Sequence, residues 1–158
     1  MDLDILSSGN FFSPSKGDLP LNQVISEIFG YMQEKTDCKY EVIVGCDSPS
    51  SDKPFFPIAI VVLRTGAGGR FFLKKMYYPD SFLKRFANIN WKNRILQEVY
   101  LSCELALSLR ETLEKENKLG LKYVFEYIHA DVGEIGKTKE MVKEVTGLIR
   151  STGFEPRI

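Results

Sequence analysis

From Leu21 to Met32 the apolar side chains Leu21, Val24, Ile25, Ile28, Phe29 and Met32 recur at three- and four-residue intervals, which predicts an amphipathic helix over about 20–35. The period then changes. Tyr40–Cys46 reads as a strand, and PFFPIAIVVLRT (54–65) as a second, its later half continuous enough to be buried on both faces. Gly66-Ala67-Gly68-Gly69 supplies a turn, and Arg70–Tyr78 folds back as a third strand. Pro79-Asp80 opens a loop. Helical spacing returns from about Asn90 to Lys118 through Ile95, Val99, Ala106, Leu109 and Leu113, and Gly120 ends it. LKYVFEYIHAD (121–131) is a fourth strand, and Gly133 and Gly136 mark a turn. Met141, Val142, Val145, Leu148 and Ile149 define another helix closed by Gly153, and FEPRI begins a fifth strand.

With the first helix set aside, the order is β-β-β-α-β-α-β. A meander of three strands followed by strands reached through helical crossovers predicts an α/β fold: a mixed five-stranded sheet, antiparallel in its first part and parallel in its second, flanked by helices and preceded by an extra helix. Residues 1–19, rich in Ser, Gly, Asp and Pro, read as an irregular lead-in, and 20–158 as a single domain. There is no internal repeat and no low-complexity segment.

Composition agrees with one ordinary soluble domain: 158 residues, 44% hydrophobic and 27% charged. No apolar stretch approaches the roughly 20 residues of a membrane span. The acidic start MDLDILSSGN lacks the basic region of a signal peptide, so a cytoplasmic location and no membrane partner are expected. Cys38, Cys46 and Cys103 are odd in number and show no Cys-x-x-Cys spacing, which favours reduced, buried thiols over a disulfide framework or a zinc site.

The net charge is zero, but its distribution is uneven. Arg64–Gln97 holds eight basic residues and a single acid, Asp80, so this stretch carries +7 and the remainder −7. Phe71, Phe72, Tyr77, Tyr78, Phe82, Phe86 and Trp91 are interleaved with the cations. Such a mixture suits nucleic acid, since cations meet phosphates and rings stack on bases. Arg70, Lys74, Lys84, Arg85, Lys92 and Arg94 are the candidate contacts. The plainer reading is a hairpin with a buried aromatic face and a solvated basic one.

Acidic residues mark the other candidate. Asp47 and Asp131 each stand where an apolar strand runs out, in YEVIVGCD and KYVFEYIHAD. On neighbouring parallel strands two such carboxylates would lie close together, and they stay ionised best with a cation between them. Hard oxygen ligands select Mg²⁺ or Mn²⁺. A third acid is expected from the long helix. Glu98 precedes its most apolar part, and Glu104, six residues on, lies on a different face. For any one of these acids alone, a solvated surface charge is the default. DVGEIGKT (131–138) ends like a phosphate-binding loop, but that pattern requires Gly where Asp131 stands, and a carboxylate there would repel phosphate.

This order of strand-Asp, hairpin, helix with an early Glu, strand-Asp and helix resembles the ribonuclease H-like superfamily. Within it the chain is similar to the YkuK-like bacterial family of predicted ribonuclease H-like proteins. Gly45-Cys46-Asp47-Ser48-Pro49 corresponds to that family's Gly-Thr-Asp-Ser-Gln type motif, with Cys46 and Pro49 in place of Thr and Gln. The stretch from His129 to Glu155, with His-x-Asp-x-Gly and then Gly-Lys-Thr, matches its second signature, and FSPSKGDLPLNQVISEI extends the likeness over most of the chain.

The resemblance implies a ribonuclease H-like fold, with Asp47, Glu98 and Asp131 as metal-binding and catalytic carboxylates. Nucleases of this fold generally take a fourth acid from beyond the fifth strand. The domain is therefore expected to be truncated at its C-terminus or to leave its site one acid short, with His129 and Glu134 nearby as auxiliary candidates. The leading expectation is a nuclease that cleaves RNA, DNA or a hybrid with two Mg²⁺ or Mn²⁺ ions. The rivals are a non-catalytic nucleic-acid-binding module on the same fold and a phosphate-binding actin-like unit. The latter is disfavoured because ATP binding would need two facing lobes.

Overall fold

The computed structural model describes residues 9–46, 55–77, 91–132 and 139–158. Its elements run β1 (Asn10–Ser13), β2 (Gly17–Pro20), α1 (Leu21–Glu34), β3 (Tyr40–Cys46), β4 (Phe55–Arg64), β5 (Gly69–Tyr77), α2 (Trp91–Glu116), β6 (Val124–His129), a 3₁₀ turn (Lys139–Met141), α3 (Val142–Ser151) and β7 (Glu155–Arg157). The strands form one sheet in the order β2-β1-β5-β4-β3-β6-β7. β3, β4 and β5 make the antiparallel meander, and β6 and β7 join parallel to β3. The mixed α/β architecture expected from the pattern is thus present, with seven strands rather than five.

The two additional strands come from the stretch read as irregular. Asn10–Ser13 and Gly17–Pro20 form a hairpin, and Phe12 pairs with Leu73 to add it to the β5 edge. Its burial alternates, with Phe11 and Ser13 inside and Asn10 and Phe12 outside. The signal was short but present: Phe11-Phe12, then Ser-Pro-Ser-Lys-Gly, with Gly17 taking the positive φ of 75° that the tight turn requires. Two-residue runs on either side of a turn are too brief for periodicity to reveal.

The three described helices share one core with a single face of the sheet. Val42, Val44, Ile58, Ile60, Phe72 and Ile128 point into it from the strands, and Val24, Ile28, Leu101, Leu105, Leu109, Val145 and Ile149 from the helices. At one end of this layer Arg64 is buried. It donates to the Tyr31 carbonyl at 2.8 Å, to the Tyr40 hydroxyl at 3.0 Å and to Glu34 at 3.1 Å, and its guanidinium lies 3.9 Å from the Tyr31 ring centre. Arg64 therefore fastens α1 to the strand ends and is not part of a basic surface. Among the described residues no helix is long and apolar enough to cross a membrane.

Candidate active site at the ends of two parallel strands

β3 and β6 are direct neighbours, with Gly45 opposite His129. The crossing is tight at Gly45. A Cβ added to Gly45 would sit 3.2 Å from the His129 Cβ, closer than side chains ordinarily approach. Beyond β6 burial keeps alternating: Ala130 and Val132 enter the core, whereas His129 and Asp131 are exposed. Asp131 therefore stands on the side of the sheet away from the helices. Asp47, the residue after Cys46, and Glu134 lie outside the described residues.

The connectivity brings Glu98 to the same end. β5 runs parallel to β3, so the chain leaves it beside the β3 terminus, and α2 returns toward the start of β6. Glu98, in the second turn of α2, is only 7% exposed and lies among the residues packed on the sheet. A carboxylate so buried holds its charge only against cationic or hydrogen-bonding partners. Its backbone carbonyl accepts a 2.9 Å bond from Ser102 Oγ. Glu104 lies close enough to Cys103 to act on its thiol, which bonds Thr152 at the end of α3. Among the described residues no three His, Cys, Asp or Glu side chains gather to hold an ion. Asp131 and Glu98 approach this end from opposite sides of the sheet, and both are hard oxygen donors of the kind Mg²⁺ or Mn²⁺ takes.

The basic residues separate into groups. Lys92 pairs with Glu140 at 3.0 Å and ties α2 to the turn before α3, and Arg94 lies half-buried in the same first turns. These two belong to the acidic end. Arg70 does not: it is exposed near the start of β5 with its guanidinium 4.4 Å from the Tyr31 ring centre, and seven residues at about 3.3 Å each separate it from the strand's far end. Lys74 is a correction of another kind. It is 7% exposed, with its ammonium 5.6 Å from the Phe11 ring centre, and burial pushes its pKa down. It faces the core and presents no cation to a phosphate. The alternation that placed Phe72 inside also placed Lys74 there, which a count of charges along the chain does not reveal. Lys84 and Arg85 lie outside the described residues.

Arg157 of β7 was not anticipated. It reaches across β6 to grip Glu41 of β3 with two bonds, 3.0 and 3.1 Å, while stacked 4.1 Å from the Tyr127 ring centre. The forked pair braces the two parallel strands on their helix-free side.

The chain is 25% identical to the uncharacterized protein YkuK of Bacillus subtilis (strain 168) over 151 residues, covering 94% of this chain and 87% of that relative. No solved structure matches it significantly. Residues 23–158 match the family described as Ribonuclease H-like, over a mixed sheet of the kind described above, and the chain belongs to that family.

Proposed function

We propose that the chain is a divalent-metal-dependent nuclease acting on the phosphodiester bonds of RNA, DNA or a hybrid. The observation that supports this most is one of register. Gly45 and His129 face each other on parallel strands, and Asp47 and Asp131 each follow two residues later in the chain. Glu98, buried on α2, is the third acid of this reading. Asp47, Glu98 and Asp131 would hold two Mg²⁺ or Mn²⁺ ions, which when bound supply an activated water and stabilise the departing oxygen.

The chain's own residues frame that chemistry. Asp131, exposed, meets a strand arriving from solvent, whereas Glu98 is fixed from the buried side by the packing of α2. His129 shares the side of Asp131, and its imidazole would pass a proton to a departing oxygen. Lys92, beside its partner Glu140, and Arg94 bring positive charge to this end, and Lys84 and Arg85 are further candidates for backbone phosphates in the sequence.

The test combines stability and cleavage. Mn²⁺ should raise the melting temperature by relieving carboxylate repulsion in the native state alone, about 2.7 kcal/mol at a hundredfold excess over Kd. It should also support cleavage of a labelled oligonucleotide. Asp47→Asn and Asp131→Asn should remove both effects. Nucleic-acid binding without either effect would instead identify a non-catalytic binding module.

A further inference from the structure

One face of the sheet carries none of the described helices. Across it runs a row of directly opposed residues, Phe12, Leu73, Ala59, Gly45, His129 and Arg157, one from each of six strands. The next row holds Phe71, Val61, Ile43 and Tyr127. Apolar side chains that would be core elsewhere meet solvent here: Phe12 is 48% and Phe71 46% exposed. Both rings sit beside Leu73, Phe12 opposite it and Phe71 two residues before it, so they are diagonal neighbours roughly 7–8 Å apart. Lys75 is the other diagonal neighbour of Phe12. Beside this cluster the small residues Gly45 and Ala59 leave a hollow of about 390 Å³, walled by Ile43, Pro57, Val61, Leu73 and His129 and closed by Arg157. That is the size range of small-ligand sites.

We propose that this face binds the unpaired bases of a single-stranded nucleic acid, two stacking on Phe12 and Phe71 and a third entering the hollow over Gly45. The inference rests on the nuclease reading, which supplies the reason for nucleic acid to be present, and it adds the substrate class: a single strand and not a duplex. Exposed rings on a sheet surface stack on any base without regard to sequence. A duplex hides its bases and offers mainly phosphates, for which this face is poorly charged, since Arg157 is already forked onto Glu41. A second copy of the chain fits less well, because it would press the Arg157–Glu41 pair and the exposed Asp131 into an apolar seam. Asp131 and His129 lie on this same side, so a strand laid over the rings leads toward Asp131.

Binding is measured by fluorescence anisotropy with labelled oligothymidylate in EDTA, so that cleavage does not intervene, and with the same strand annealed to DNA or RNA complements. The strand should bind about tenfold more tightly than either duplex. Phe12→Ala and Phe71→Ala should each weaken strand binding by about tenfold and leave duplex binding unchanged, whereas Phe71→Trp should retain it. Both rings are exposed, so unchanged melting temperatures confirm intact folding. Equal affinity for duplex, or indifference to loss of the rings, overturns the inference. So does a dimer in sedimentation that the ring variants dissociate. Separate cleavage assays with Mn²⁺ keep the two readings apart: cleavage confined to duplex would overturn this inference and leave the nuclease, and strand binding without cleavage would do the reverse.

Discussion

Gly45 shows how a single atom can decide the candidate site. Its missing side chain lets His129 pack against β3, and an alanine there must displace a Cβ that is itself held by β6. Gly45→Ala should cost about 1 kcal/mol, and the valine variant more, in chemical denaturation. The thiols provide an independent check on burial. Cys38 is half-buried, whereas Cys46 and Cys103 are buried, so a disulfide reagent near neutral pH should titrate one thiol quickly and the other two only after denaturation. Burial pushes the Cys103 thiol up to about 11; Glu104 adds to this and the Thr152 hydrogen bond opposes it. The native state thus keeps a proton that the unfolded chain releases from about pH 9, so stability should fall as pH rises from there toward 11. Cys103→Ala should flatten that alkaline slope. At this scale the sequence was only partly legible. Reduced, mostly buried cysteines followed from their number and spacing, but Lys74 and Arg64 were counted as surface charge. Only tertiary packing shows that one faces the core and the other anchors a helix.

Among the elements, long periodic ones were readable and short ones were not. The three helices and five of the strands lie close to where spacing put them, because each buries enough apolar surface to impose a period over many residues. The β1–β2 hairpin relies on one inward ring. Phe11 is fully buried and Phe12, its neighbour in the chain, points outward. Phe11→Ala should therefore cost about 3 kcal/mol or more, and Phe12→Ala should stay within about 0.5 kcal/mol, when thermal or urea unfolding of the two variants is compared. Equal costs would mean that the hairpin does not alternate as described. The bulge between β3 and β6, where Glu41 opposes Val124 but Ile43 opposes Tyr127, was likewise invisible in the sequence. One extra residue re-aims the strand without changing its hydrophobic character.

At the scale of the whole molecule, the family was legible because it is carried by the order of strands and helices along the chain and not by any one residue. Arg157 was hidden, because nothing along the chain links it to Glu41, 116 positions away. Arg157→Ala should lower stability and, by loosening the brace between β3 and β7, reduce any gain conferred by Mn²⁺, both read from melting curves with and without the ion. The same connectivity governs how the protein reaches its native state. The meander of β3, β4 and β5 joins strands that follow one another closely in sequence, whereas the pairing of Gly45 with His129 closes a loop of 84 residues. Closing so long a loop is entropically late, so the meander is expected to gain amide protection early in refolding and β6 to dock afterwards. The C-terminal ends of β3 and β6 would then meet only as the sheet is completed. An ion held between them would slow escape from the finished fold far more than it would hasten arrival.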